Sequence, residues 1–203
     1  MVRRLILLRH GETEWNREGR YLGQEDLDLS PWGERQVQLA AKRLHEERIE
    51  AIYASDLIRT RRTAEVIAAS RGLPVKTDSR FRELNFGAWE GLTYGEISAR
   101  FRRELKAWEE DPVNQTPPRG ESLAALARRV SQAWQEIIRK DRASTILLVG
   151  HGGPLRVLLC KLLGFRPTEI WRFQVDPGSL SILFFTSQRG QLLILNDTCH
   201  LEG

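Results

Sequence analysis

The sequence predicts an α/β fold: a three-layer α/β/α sandwich around a mostly parallel sheet. Short apolar runs rich in β-branched residues alternate with longer segments whose apolar residues recur at helical spacing. Strands that alternate with helices favour a parallel sheet covered on both faces. The 203 residues suffice for a sizeable core, and no repeat or linker-like segment divides them. We therefore expect residues 1–203 to form a single domain.

The first predicted strand, LILL at residues 5–8, ends at the most informative tripeptide of the chain, Arg9-His10-Gly11. In an open α/β sheet, ligands bind at the carboxyl ends of the strands. Arginine offers a fixed fork of donors that suits phosphate oxygens, and histidine is a nucleophile available near neutral pH. Glycine lets a ligand approach the backbone closely. The tripeptide therefore indicates a site for a phosphorylated ligand.

A second apolar run, TILLV at residues 145–149, ends in a similar way, at Gly150-His151-Gly152-Gly153-Pro154. Pro154 is expected to be the first residue of a helix, because its missing N–H costs nothing there. His151 would then precede a helix N-terminus, which favours an anion. Two of the four histidines share this context, so we expect His10 and His151 to form one site. Two structural histidines that cap loops are the alternative.

Capping residues mark the starts of the helices predicted between these strands. Ser30 begins one of them, followed by Pro31 and by Glu34 in the first turn. Further helices are predicted at residues 55–69, capped by Ser55-Asp56, at 94–108, and from Ser122 to 137, where the periodicity is strongest.

Further strands are predicted at residues 51–54 and from Val75. Near the C-terminus, residues 180–186 and 191–195 are typical of two strands joined around Arg189-Gly190, which predicts a terminal hairpin.

Composition limits the classes of function. The net charge of +4 favours anionic partners, but the Arg-Arg pairs are dispersed and no basic block occurs, so no nucleic-acid partner is predicted. No apolar stretch approaches the roughly 20 residues of a membrane span. Arg3-Arg4 resembles the start of an export signal, but the apolar run after it is too short, so we expect a cytoplasmic protein. A homodimer is left open.

Cysteine usage predicts neither a disulfide framework nor a metal centre. The chain has two cysteines, Cys160 and Cys199, and Cys160 falls in an apolar helix where core packing is expected. Cys199-His200 lacks a second ligand pair at a useful spacing.

Four short motifs occur in order along the chain: LRHGETEWN at residues 8–16, SDLIRT at 55–60, RELNFGAWEG at 82–91 and GHGG at 150–153. Together they resemble the histidine phosphatase superfamily, the phosphoglycerate-mutase-like proteins. The resemblance extends from residue 5 to about residue 160 and implies the phosphoglycerate-mutase-like fold.

The resemblance also implies roles for individual residues. His10 would be the nucleophile and would become a phosphohistidine. No metal or cofactor is required, because arginines and histidines supply the positive charge that stabilises phosphoryl transfer. The groups expected to hold the phosphoryl oxygens are Arg9, Asn16, Arg59, His151 and Gly152.

Glu83 would donate a proton to the leaving alcohol and then activate water. It must be protonated to donate, and a neighbouring phosphate dianion favours that form. The alternative is a surface carboxylate paired with Arg80 and Arg82. His10 must attack as the neutral imidazole, whereas His151 is expected to be most useful as a cation.

The region at residues 92–120 is short, which favours a phosphatase over a cofactor-dependent phosphoglycerate mutase. The motif at residues 83–93 is similar to that of the α-ribazole-5′-phosphate phosphatases of cobalamin synthesis, and it recurs in broad-specificity phosphatases. A small phosphomonoester, α-ribazole-5′-phosphate above all, is therefore the expected partner. A mutase and a non-catalytic phospho-ligand binding module remain competing functions. Some aromatic residues are candidates for a leaving-group pocket, with core packing as the competing role: Trp15, Tyr21, Trp89, Tyr94 and Trp108.

Overall fold

Six strands form one sheet in the computed structural model, which describes residues 3–186 and 190–202. The neighbours across the sheet follow the order β3-β2-β4-β1-β5-β6, and β1 to β4 run parallel whereas β5 and β6 add an antiparallel hairpin. The predicted mostly parallel sheet and terminal hairpin are confirmed, while the turn predicted around Arg189 lies outside the described residues. The strands are β1 (Arg3–Arg9), β2 (Ala51–Ala54), β3 (Val75–Thr77), β4 (Thr145–Gly150), β5 (Leu180–Phe185) and β6 (Gly190–Asp197).

Helices cover both faces of this sheet, as the three-layer prediction requires. One apolar cluster joins α2 and α3 to one face, and a larger cluster joins α6 and α7 to the other. No helix within the described residues is both long enough and apolar enough to cross a membrane. The helices are α1 (Glu14–Arg17), α2 (Pro31–Arg43), α3 (Ile58–Ala69), α4 (Tyr94–Arg100), α5 (Arg102–Glu110), α6 (Leu123–Lys140) and α7 (Gly152–Leu163).

The central strand β1 is buried on both sides because its side chains alternate between the two apolar clusters. Leu5 and Leu7 pack in the cluster with α6 and α7, whereas Ile6 and Leu8 pack in the cluster with α2 and α3. Both clusters thus hold the strand that carries Arg9 and His10 at its end. Cys160, on α7, is buried in the core as predicted.

The prediction that Ser55-Asp56 caps α3 is wrong. The helix begins at Ile58, and its N-cap residue, Leu57, makes no side-chain cap bond. Instead Asp26, from a distant loop, accepts a hydrogen bond from the Ile58 backbone N–H at 2.7 Å. Asp56 is drawn away because its carboxylate binds Arg82. A long-range contact therefore replaces the local cap.

Two other helix boundaries differ from the prediction. The helix expected at residues 94–108 is two helices, because Phe101 leaves helical geometry with φ −130° and ψ 38° and packs against the core. Helix α7 begins at Gly152, so Pro154 is its third residue rather than its first. The Leu155 N–H donates to the His151 carbonyl at 3.1 Å, which closes the first turn earlier than predicted.

The loop after β1 packs backbone to backbone against the first turn of α2, where Ser30 caps the helix as predicted. A Cβ on Gly33 would lie 2.0 Å from the Glu12 carbonyl oxygen, and a Cβ on Gly11 would lie 2.4 Å from the Gly33 carbonyl oxygen. Glycine at both positions therefore allows this close approach.

We expect Gly33→Ala to lower the free energy of unfolding by about 1–3 kcal/mol, because its methyl group would push the loop off the helix. Urea denaturation measures the change. Gly95→Ala, in α4, is the matched control, because a Cβ there meets no atom within 4 Å. Equal stability of the Gly33 and Gly95 variants would contradict the close packing.

Candidate active site

The candidate site lies where the parallel neighbours β1 and β4 end side by side. Arg9 is paired in register with Gly150, and the His10 backbone N–H donates to the Gly150 carbonyl at 3.0 Å. The next residue of each strand is a histidine, and the two buried rings lie with their centroids 5.1 Å apart at 62°. The prediction that His10 and His151 form one site is confirmed in geometry.

His10 is oriented by its own backbone. Its Nδ1 lies 2.7 Å from the Gly11 carbonyl oxygen and donates to it, so Nε2 carries the lone pair. Burial lowers the pKa of His10 well below its ordinary 6.5, and the positive charges of Arg59 and Arg9 lower it further. The ring is therefore a neutral imidazole at neutral pH, and its role as the nucleophile stays a prediction.

His151 does not match the cationic form expected from the sequence. Burial lowers its pKa well below 6.5, and the nearby Arg59, His10 and Arg9 act in the same direction. Neither ring nitrogen has a hydrogen-bond partner among the residues that the structure describes, although both are buried. The ring is neutral without a bound anion because the residues around it supply positive charge, so its cationic form during the reaction stays a prediction. A phosphate dianion would reverse the sign of this field and favour the protonated ring.

Arg9 and Arg59 are held by neutral carbonyl oxygens. Arg9 Nη1 donates to the Val175 carbonyl at 2.7 Å, and the fully buried Arg59 donates to Gly23 and Glu25 carbonyls at 2.7 and 2.8 Å. Burial lowers the pKa of each guanidinium to about 10, so both stay cationic at neutral pH. The buried Nε of each has no hydrogen-bond partner in the described part of the chain. Each arginine therefore keeps a net charge and a free donor for an anion.

Glu83 is buried and lies next to the first turn of α7. It accepts hydrogen bonds from the backbone N–H of Leu84 at 2.7 Å and of Gly153 at 3.1 Å, and so contacts the first turn of α7. The alternative prediction of a surface ion pair is therefore wrong. Arg80 and Arg82 bind other carboxylates: Asp78, Glu136 and Asp56.

Arg129, on α6, positions the Glu83 segment and was missed from the sequence. Its guanidinium donates to the backbone carbonyls of Arg80 at 2.8 Å, Arg82 at 2.6 Å and Glu83 at 2.8 Å. The sequence did indicate that Arg129 faces inward: it follows the buried Leu126 by three residues, and residues at that spacing share a helix face. Gln24 also reaches this segment, with its side-chain amide 3.3 Å from the Glu83 carbonyl.

Asn16 and Gly152 occupy different positions relative to this site. The Asn16 side-chain oxygen accepts hydrogen bonds from the backbone and hydroxyl of Thr13, both at 3.1 Å, which caps α1. Its contact with phosphate stays a prediction. A Cβ on Gly152 would lie 3.6 Å from Glu83 Oε2 and 3.7 Å from Arg9 Nη1. Gly152 thus lies between these two side chains, although its contact with phosphate also stays a prediction.

A small cleft of about 60 Å³ opens beside Glu83. Of the aromatic candidates from the sequence, Trp108 lines this cleft, whereas Trp89 is fully buried in the core. Sequence reasoning missed the aromatic rings of Phe86 and Trp171, which also line it. The remaining lining residues are Glu83, Leu84, Leu123, Leu126, Gly153, Arg156 and Ile170. Within residues 3–186 and 190–202, no three His, Cys, Asp or Glu side chains come together as metal ligands.

We expect the buried histidines to make the fold less stable in acid. Their pKa values are lowered in the folded protein, so below about pH 6.5 the unfolded chain binds protons that the native state does not. The free energy of unfolding should fall by up to about 1.4 kcal/mol per pH unit for each histidine. Denaturation between about pH 7 and pH 5 measures this slope.

Replacing His151 by asparagine should make the slope shallower, whereas the same change at the exposed His45 should leave it unchanged. An unchanged slope in the His151→Asn variant would contradict the buried neutral ring.

Comparison with known proteins agrees with this geometry. Residues 5–198 match the profile of the histidine phosphatase superfamily (branch 1). The chain is 37% identical over 198 residues to phosphoserine phosphatase 1 of Hydrogenobacter thermophilus, covering 98% of this chain and 94% of that one. It is 40% identical over 181 residues to the protein named "Probable phosphoglycerate mutase GpmB" of Yersinia enterocolitica, covering 87% and 82%.

The fold is similar to the crystal structure of the α-ribazole phosphatase from Shigella flexneri, with a TM-score of 0.89, 30% identity and 96% of each chain covered. The profile match spans nearly the whole chain, including β1, β4 and the residues that follow them. The chain therefore belongs to the histidine phosphatase superfamily and is a phosphatase enzyme.

Proposed function

We propose that this enzyme hydrolyses a small phosphomonoester through a phosphohistidine on His10. One observation carries the proposal: buried groups without partners among the described residues belong to the side chains whose charge or ring lies close to the neutral His10 imidazole. These groups are the Nε atoms of Arg9 and Arg59, together with the ring of His151. Buried polar groups are normally hydrogen-bonded, so unpaired donors of positive or protonatable groups fit an anionic ligand. A phosphoryl group has the charge and the number of acceptor oxygens to satisfy them.

In the first step, His10 Nε2 attacks phosphorus and the P–O bond to the alcohol breaks. Arg9 and Arg59 stabilise the charge on the equatorial oxygens, and His151 joins them once the phosphate favours its protonated form. Protonated Glu83 gives its proton to the departing alcohol oxygen. The products are an alcohol, a phosphohistidine and the Glu83 carboxylate.

In the second step, water attacks the phosphohistidine and the P–N bond breaks. The Glu83 carboxylate takes the proton from water, so it is again protonated for the next turnover. Inorganic phosphate leaves and His10 returns to the neutral imidazole. Positive charge in this mechanism comes from side chains of the protein, so the proposal uses no metal and no cofactor.

Two substrates have specific support. The motif at residues 83–93 and the similarity to the α-ribazole phosphatase favour α-ribazole-5′-phosphate. The similarity to phosphoserine phosphatase 1 favours phosphoserine. Each is a monoester of an aliphatic alcohol, a leaving group that needs the proton of Glu83.

Because both are intracellular metabolites, we also propose a cytoplasmic location. A mutase is the second candidate function, supported by the 40% identity to the protein named as one.

His10→Ala should lower phosphate release by at least about a thousandfold, because it removes the nucleophile. The measurement is phosphate release from α-ribazole-5′-phosphate, phosphoserine, 3-phosphoglycerate and p-nitrophenyl phosphate, together with detection of an acid-labile phosphoenzyme. His45→Ala, at an exposed histidine, is the control that should keep full activity.

Turnover of the His10→Ala variant close to that of the unaltered enzyme would contradict the phosphohistidine. Isomerisation of 3-phosphoglycerate without phosphate release would replace the proposal with the mutase. A kcat/KM for α-ribazole-5′-phosphate far above the others would support that substrate, and a flat profile would support a broad-specificity phosphatase.

Glu83→Gln should slow the hydrolysis of alkyl phosphates by about 10²- to 10⁴-fold, because the amide cannot donate the proton. p-Nitrophenyl phosphate should be affected much less in its first step, since its leaving group needs no proton. Single-turnover formation of the phosphoenzyme measures this step directly. Equal slowing of alkyl and p-nitrophenyl esters would be inconsistent with a proton donor at this position.

A further inference from the structure

The mechanism above leaves one cation beside the site without a role. Arg156, on α7, donates from Nε to the Phe173 carbonyl at 2.7 Å, and its Nη atoms make no hydrogen bond within the described residues. Glu83 and Asp176 act on it electrostatically, but in the described part of the chain neither forms an ion pair with it. Four of its five N–H donors are therefore free of partners within the described residues.

Arg156 lies on the side of the site where Glu83 does its chemistry. Its Nη1 would be 3.1 Å from a Cβ on Gly152, a point that lies 3.6 Å from Glu83 Oε2 and 3.7 Å from Arg9 Nη1, so Arg156 stands next to both the proton donor and the phosphate-binding side. Since Glu83 gives its proton to the leaving alcohol, the carbon skeleton of that alcohol must lie next to this carboxylate. Arg156 is thus placed to contact the leaving group.

The cleft that Arg156 lines is small and mostly apolar. Its volume of about 60 Å³ is enough for roughly four to six water molecules, which matches an alcohol of about three carbons. The Arg156 guanidinium lies 5.9 Å from the centre of the Trp171 ring, which covers it on one side. The carbon chain of a ligand fits the apolar walls, and the guanidinium offers a forked partner for a planar anion.

We propose that Arg156 binds a carboxylate on the leaving alcohol, so that the enzyme selects phosphomonoesters of small hydroxy acids. This inference rests on the proposed phosphatase function and names the substrate class of the same site. A neutral alcohol would leave the free donors of Arg156 unpaired in a largely dry cleft, which disfavours its binding. The alcohol of phosphoserine carries a carboxylate and that of α-ribazole-5′-phosphate does not, so the inference favours phosphoserine.

Two matched pairs of substrates test the inference. Phosphoserine differs from O-phosphoethanolamine by its carboxylate, and 3-phosphoglycerate differs from glycerol 3-phosphate by a carboxylate in place of a hydroxymethyl group. The unaltered enzyme should show a kcat/KM at least about tenfold higher for the carboxylate member of each pair, the factor expected of a charge-assisted hydrogen bond.

Arg156→Gln should bring that ratio close to one, and Arg156→Lys should leave an intermediate ratio, because it keeps the charge but loses the fork. Arg172→Gln is the matched control, since Arg172 lies in the neighbouring segment, is exposed and pairs with Glu169. Its ratio should equal that of the unaltered enzyme. Thermal melting of each variant reports whether it folds.

Two outcomes would overturn the inference while leaving the phosphatase in place. One is a kcat/KM ratio near one between the members of each pair in the unaltered enzyme. The other is an unchanged ratio in Arg156→Gln; if both members of a pair are slowed equally, Arg156 has a structural role. If Arg156→Gln does not fold, the ratio in the unaltered enzyme and in Arg156→Lys decides. Failure of the proposed function looks different, because no substrate, p-nitrophenyl phosphate included, would release phosphate.

Discussion

The register between β1 and β4 is the constraint on which the rest of the site depends. These two parallel strands end opposite one another, with Arg9 paired to Gly150, so the next residue of each strand lies at the same edge of the sheet. The His10 and His151 rings are thereby brought to a centroid distance of 5.1 Å without any contact between loops having to form first. Both faces of β1 are packed in apolar clusters, which hold this strand in the middle of the fold.

The two arginines beside the histidines differ from many surface arginines in their partners. Many surface arginines pair with carboxylates, as Arg80 does with Asp78 and Arg82 with Asp56. In the site, Arg9 and Arg59 are held by neutral carbonyl oxygens. A buried charge without a counter-ion is costly, so this arrangement opposes folding. It keeps positive charge available for a phosphoryl group, which a carboxylate partner would neutralise.

The sequence predicted the parts of the site that depend on local pattern. The apolar runs before His10 and His151 placed both residues at strand ends, because such a run followed by glycine is a local signal. Arg129 and Arg156 could not be found this way. Each acts through backbone carbonyls contributed by distant segments, so its role depends on how α6 and α7 pack against the segments that precede and follow them. The cap of α3 by Asp26 was missed for the same reason.

The two sides of the site perform different tasks, and this division explains why the motifs predict the reaction better than the substrate. Arg9, Arg59 and the histidines would bind the phosphoryl group, which all phosphomonoesters share, so they cannot discriminate among alcohols. Discrimination must come from the cleft beside Glu83, whose walls include α5, α6 and the segment at residues 167–172. Helices α5 and α6 lie between the motifs at residues 82–91 and 150–153, and the segment at residues 167–172 follows the last motif. The contact proposed for Arg156 is of this kind, because the place of its guanidinium between the Phe173 carbonyl and the Trp171 ring follows from tertiary packing rather than from a motif.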